Sequence, residues 1–137
     1  MRITVDTNVL VSSTFWNGDS DRILKKVENK EIELMISDEI IKEFSKVLEY
    51  EEIKEKIKDK NLEMKRTVEK IVSISTIVEP KQKFEAVKDD SKDNKIVECA
   101  FEGNVDYLIS QDNHLLKLKE FKRIKIITPE EFLKVFK

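Results

Sequence analysis

Lys92-Asp93-Asn94-Lys95-Ile96-Val97-Glu98-Cys99-Ala100-Phe101-Glu102-Gly103, with Tyr107-Leu108-Ile109-Ser110 close behind it, reads as a helix, a stop and a short strand. Ile96, Val97, Ala100 and Phe101 share one helical stripe, and Gly103 stands where a helix is closed. The strand ends two residues before Asp112. A helix that feeds a strand, with an acid just past the strand, is the repeating unit of an α/β fold.

The same alternation extends in both directions. Ile3-Thr4-Val5 is a first strand that stops at Asp6. Residues 19–29 form a helix with Ile23, Leu24 and Val27 at helical spacing, and Leu34-Met35-Ile36 is a second strand. Ser37 caps a helix that runs to about residue 50, striped by Ile40, Ile41, Phe44, Val47 and Leu48. Residues 51–75 are charged and helical, with Glu52 and Lys56 at i,i+4 and Ile53 and Ile57 at the same spacing. Residues 74–78 make a third strand stopped by Pro80, and 81–91 a loop. Residues 124–128 make a fifth strand, and Pro129 opens a last helix through Phe136. Strands separated by helices predict a mostly parallel five-stranded sheet covered on both faces.

Composition removes whole classes of function. The 137 residues suit a single domain over 1–137, and 39% charged with 39% hydrophobic residues describes a globular chain. Only Gly18 and Gly103 are glycines, so no Rossmann loop, Walker A loop or G-x-S-x-G elbow can be built. Cys99 is the only cysteine and His114 the only histidine, which excludes an internal disulfide, cysteine zinc clusters and multi-histidine sites. Any metal must be held mainly by oxygen. No apolar run is long enough to cross a membrane and no signal-peptide core opens the chain, so a cytoplasmic location is expected. The net charge of −2 gives no global basic field, although residues 113–137 carry +4.

Four acids occupy places where chemistry is done. In parallel sheets ligands bind at the carboxyl ends of strands, where Asp6 and Asp112 stand. A turn-forming Asp would explain either one alone. Asp93 lies within about 10° of the centre of its helix's apolar stripe, at 100° per residue. The helix dipole accounts for an acid in that first turn but not for one facing inward. Glu43 lies on the rim of its own stripe, where a solvated glutamate is the plain alternative. A fold that gathers four carboxylates without basic partners raises their pKa values. A hard divalent cation gives a chemical reason to tolerate that, and Mg²⁺ or Mn²⁺ on carboxylates suits phosphodiester hydrolysis.

Here the chain resembles the PIN domain family, to which the VapC-type toxin ribonucleases belong. Val5-Asp6-Thr7-Asn8-Val9-Leu10 is similar to its opening motif, and Ser37-Asp38-Glu39-Ile40-Ile41-Lys42-Glu43-Phe44 to its second, with the glutamate at Glu43. Asp90-Ser91-Lys92-Asp93-Asn94-Lys95 resembles the acid-rich third motif, with Asp93 as the main acid and Asp90 as an accessory. Asp106-Tyr107-Leu108-Ile109-Ser110-Gln111-Asp112 resembles the fourth, although Gln111 stands where glycine is common. The motifs occur in family order and span nearly the whole chain. The resemblance implies a three-layer α/β/α sandwich and a metal-dependent endoribonuclease. It implies an RNA substrate, a homodimer, and an antitoxin protein as partner. Asp6, Glu43, Asp93 and Asp112 would hold one or two Mg²⁺ or Mn²⁺ ions, while Asn8 and Ser110 orient them through hydrogen bonds.

Other residues are read more plainly. His114 is assigned to the surface of a short helix, and Cys99 to the flank of its helix. Phe15 and Trp16 are placed in a loop-like stretch, packing over a sheet edge or a dimer contact. The run Lys117, Lys119, Lys122, Arg123, Lys125 is either a solvated face or a set of RNA phosphate contacts. Two other function classes compete with the nuclease. An aspartyl-phosphate phosphatase needs an acid two residues after its nucleophile, where this chain has Asn8. The other is a non-catalytic RNA- or protein-binding module on the same fold.

Overall fold

The central strands of this chain are buried on both faces, and that decides how its helices must be arranged. In the computed structural model, which describes residues 1–88 and 90–136, the consecutive residues Ile3, Thr4 and Val5 are each fully buried. Side chains alternate across a strand, so both faces of the sheet are covered by helices. The one buried hydroxyl among these three is satisfied: Thr4 Oγ1 donates to the Met35 carbonyl at 2.8 Å.

Along the chain the elements are β1 (Arg2–Val5), α1 (Thr7–Phe15), α2 (Asp19–Glu28), β2 (Glu33–Ser37), α3 (Asp38–Leu48), α4 (Glu51–Asp59) and α5 (Met64–Ser73). They continue with β3 (Ser75–Val78), α6 (Ser91–Glu102), β4 (Tyr107–Ile109), α7 (Asn113–Leu116), β5 (Glu120–Phe121), β6 (Ile124–Ile127) and α8 (Pro129–Val135). Among the described residues the sheet has six strands in the order β3-β2-β1-β4-β6-β5. All neighbours are parallel except β5 and β6. From β1 the chain steps outward through β2 to β3, then returns to the other side of β1 with β4. The β1–β4 junction is therefore the topological switch point, where ligands bind in open α/β sheets. Val5 pairs with Ile109 there, which puts Asp6 beside Ser110 at the carboxyl edge.

The structure corrects the sequence reading in several places. The sheet has a sixth strand, β5, which pairs antiparallel to β6 through a turn at Lys122 and Arg123. Both turn residues have positive φ, 46° and 77°, without the Asn or Gly that normally announces such a turn. This turn opens β6, so it lies at the amino edge of the sheet, away from Asp6. Residues 7–15 are a helix rather than part of a loop, with Phe15 buried in its last turn and Trp16 half-exposed at its C-cap. Residues 51–75 divide into α4, α5 and the start of β3, with the first break at Asn61, which has φ of 54°. Cys99 is fully buried rather than on a flank, because α6 packs across β1, β2 and β4. Burial pushes its thiol up to about 11. The expected loop at 81–91 includes Asp89, which lies outside the described residues.

Gly103 closes α6 as expected, but for a different reason. Its φ is −74°, so no left-handed backbone is needed there, and Asn104 takes the positive φ instead. What the position requires is the absence of a Cβ, which would stand 2.8 Å from Met35 Cβ on β2. Gly103→Ala should therefore overpack the α6–β2 contact and cost about 1–3 kcal/mol. Chemical denaturation of the two proteins measures this, and equal midpoints would show that α6 can move aside.

Candidate metal-binding acid cleft

Each acid of the site is delivered by the turn that links a strand to a helix, or by the helix itself. Asp6 follows β1 and is the N-cap of α1, where its Oδ1 accepts the Val9 N–H at 2.9 Å. Its Oδ2 accepts the Ser110 hydroxyl and, at 3.3 Å, the Gln111 N–H. Ser110 follows β4 and is fully buried. Its oxygen also accepts the Asp112 N–H at 2.9 Å, so one hydroxyl joins the two acid-bearing turns. Asp112 is the N-cap of α7 and accepts the His114 N–H at 2.7 Å. Asp90 caps α6, accepting the Asp93 N–H at 3.1 Å, and places Asp93 in the first helical turn.

Asp93 faces inward, as its position on the apolar stripe predicts. It is only 6% exposed, and its Oδ2 is buried without a hydrogen-bond partner. Glu43 comes from the second turn of α3, a helix that Ser37 caps by accepting the Ile40 N–H at 3.4 Å. It is half-buried and pairs with Lys92 across the gap between α3 and α6, at 3.4 Å. Lys95 and Glu39 form a second such pair at 3.1 Å.

Asp6, Glu43, Asp93 and Asp112 line one cleft of about 420 Å³, together with Asn8 and Lys92. The four acids expected from sequence are thus brought together. Ser110 donates to Asp6 and accepts the Asp112 N–H. Asn8 borders the cleft, but its side chain is exposed and forms no hydrogen bond to the acids among the described residues. Asp90 stands behind Asp93 rather than in the cleft wall, where it joins Asp93 and His114 in a group whose ligand atoms lie within 4.8 Å of one another. His114 and Lys92 were not singled out for this site in the sequence. The visible signals were a histidine two residues past the last acid, and a lysine one residue before Asp93 on the same helix.

Asp6, Asp93 and Asp112 line the cleft with no lysine or arginine paired to them among the described residues; the lysines there pair with Glu43 and Glu39. Burial raises the Asp6 carboxyl; hydrogen bonds from Ser110, Val9 and Gln111 oppose this, and Asp112 adds repulsion. Asp93 is pushed up to about 7, first by burial, then by the Asp112 charge, and by Asp90 and Asp6. Asp90 is held below the usual carboxylate range, chiefly by the Asp93 N–H. The buried, unpartnered Asp93 oxygen among carboxylates fits a hard divalent cation, for which carboxylate oxygens are the natural ligands.

An unfolded Asp loses its proton near about 3.9, whereas folded Asp93 keeps its own up to about 7. Between those values the folded state binds more protons through this group. Its contribution to stability therefore falls as pH rises across that window, and the penalty is complete above it. Without metal, the stability of Asp93→Asn relative to the wild type should be clearly higher near pH 8 than near pH 5. Thermal melts at the two pH values test this, and a difference that does not change with pH would show that Asp93 titrates normally.

A family model described as PIN domain matches residues 2–114, well over half of the chain. No curated protein matches it. The matched span carries every acid of the cleft, the switch-point topology and the Asp90–Asp93–His114 group. The chain belongs to the PIN domain family, generally a nuclease fold.

Proposed function

We propose that the protein is a metal-dependent endoribonuclease that hydrolyses RNA phosphodiester bonds, and that it is the toxin of a toxin–antitoxin pair. The observation that carries the nuclease reading is the buried Asp93 oxygen without a partner, set among Asp6, Asp112 and Glu43 in a single open cleft. Asp6, Glu43, Asp93 and Asp112 are the residues that would hold Mg²⁺ or Mn²⁺. Such an ion supplies an activated water and charge stabilisation at the phosphoryl group.

The chain's own groups do the rest. Ser110 ties Asp6 to the Asp112 backbone, so the two acid-bearing turns are held together at one wall of the cleft. Lys92 and Lys95 put positive charge on the wall of an otherwise acidic cleft, where an RNA phosphate would approach. Lys122 and Arg123 lie at the opposite edge of the sheet and do not border the cleft of their own chain. The toxin assignment rests on the family resemblance of the four motifs, and the antitoxin would be a protein that blocks this cleft.

Cleavage of single-stranded RNA should require Mg²⁺ or Mn²⁺, stop with EDTA, and be lost in Asp93→Asn. Saturating Mn²⁺ should stabilise the wild type by about 2.7 kcal/mol at 100 times its dissociation constant, and the variant by much less. RNA bound but never cut, with metal present, would instead identify a non-catalytic binding module. A wild type blind to metal in melts would remove the nuclease reading altogether.

The family resemblance also supports a homodimer in solution. Light scattering at micromolar concentration should give twice the 16.1 kDa chain mass; a strict monomer would overturn this part of the reading.

A further inference from the structure

The carboxylates lining the cleft are not the only metal-capable groups at this edge of the sheet. His114 Nδ1 lies 3.8 Å from Asp90 Oδ2 and 3.8 Å from Asp112 Oδ1. A carboxylate oxygen from each of Asp90 and Asp93 and a ring nitrogen of His114 fall within 4.8 Å of one another. Backbone contacts fix this arrangement. Asp112 accepts the N–H of His114 itself, which returns the residue toward the acid turns, and Asp90 accepts the N–H of Asp93. The His114 side chain is 64% exposed, so core packing does not explain where the ring sits.

Asp93 belongs to both groups. It lines the cleft with Asp6 and Asp112, and it faces Asp90 and His114. The buried Oδ2 without a hydrogen-bond partner thus belongs to the acid that both groups share, and a ligand is what it lacks. Oxygen ligands of a small octahedral cation, at about 2.1 Å from it, are about 3 Å apart when adjacent and about 4.2 Å when opposite. The observed spread closes onto that geometry with a small movement of side chains at the rim.

We infer that Asp90, Asp93 and His114 form a second cation site, sharing Asp93 with the all-carboxylate site of the cleft. Its imidazole nitrogen makes it a site for a borderline transition ion such as Mn²⁺ rather than Mg²⁺. Mg²⁺ takes oxygen ligands and gives up its waters reluctantly, whereas imidazole suits transition ions. The cleft site offers carboxylate oxygens alone and accepts either ion. The inference deepens the nuclease reading and rests on it in one respect: both ions use Asp93. Mn²⁺ would fill two positions per chain and Mg²⁺ one.

The sequence makes the test clean, because the chain has one histidine. Any imidazole nitrogen coupled to bound Mn²⁺ in tag-free protein must therefore come from His114. Pulsed electron paramagnetic resonance of the wild type should show that nitrogen coupling, and titration should show two Mn²⁺ per chain, one of them displaced by Mg²⁺. His114→Ala should abolish the coupling and weaken the other Mn²⁺ by at least the roughly 10–100-fold that loss of even an outer partner costs a metal site. Asp6→Asn, which alters only the all-carboxylate site, should keep the coupling. Mn²⁺ that binds without nitrogen coupling would overturn the second site and leave the nuclease reading intact. No saturable Mn²⁺ in the wild type would overturn both.

Discussion

The hydrogen bond from Ser110 to Asp6 ties β4 to β1 at the point where the sheet changes direction. The rest of the site depends on it. The same serine oxygen receives the Asp112 N–H, so the position of the last acid is set by the position of the first. Parallel pairing of Val5 with Ile109 brings the two turns to one height, and the buried hydroxyl then spans the short distance between them. A serine does this without adding charge. A lysine in its place would neutralise Asp6, and the carboxylate would have no reason to recruit a cation.

Capping and ligation are both served by these acids, and a carboxylate can do both because it has two oxygens. Asp6, Asp90 and Asp112 each cap a helix through one oxygen. The capping bonds hold the carboxylates in place, and the partial positive charge at the starts of α1 and α6 offsets part of their mutual repulsion. Asp93 has no such compensation on its inner oxygen, and its carboxyl is pushed up to about 7. Metal-free stability and metal affinity thus pull in opposite directions at this one residue.

Legibility in the sequence followed how locally each feature is determined. Strand ends, caps and stripe positions are set by a few residues, so Asp6, Ser37 and Asp93 could be placed from spacing alone. Helix α1 could not, because Val9, Leu10 and Val11 are three successive apolar residues and all are buried, leaving no polar face to mark the period. Cys99 was misread because a stripe centre assumes one contact surface, whereas α6 touches three strands. Strand β5 is two residues long and depends on left-handed Lys122 and Arg123, which carry no turn signal. The group of Asp90, Asp93 and His114 joins two segments that come together only because β4 returns beside β1. The order of the four acidic motifs was visible in the chain; the imidazole beside them was not.

The charges of the cleft fall into two sets, and the division separates chemistry from surface. Glu39 and Glu43 stand on the rim of α3, and each has a lysine of α6 for a partner. Exposed pairs of this kind contribute little to stability, since water screens both ends and long side chains must be ordered. The two walls are therefore held by packing on the sheet, and the lysines can leave their glutamates without unfolding anything. Asp6 and Asp93, deeper in, have only hydrogen bonds and one another. A cation held there would meet two acids that have no salt-bridge partner among the described residues, and a third, Glu43, only in exchange for its Lys92 pair. Lys92 itself lies on the wall of the same cleft, where it would be free to meet a negatively charged ligand.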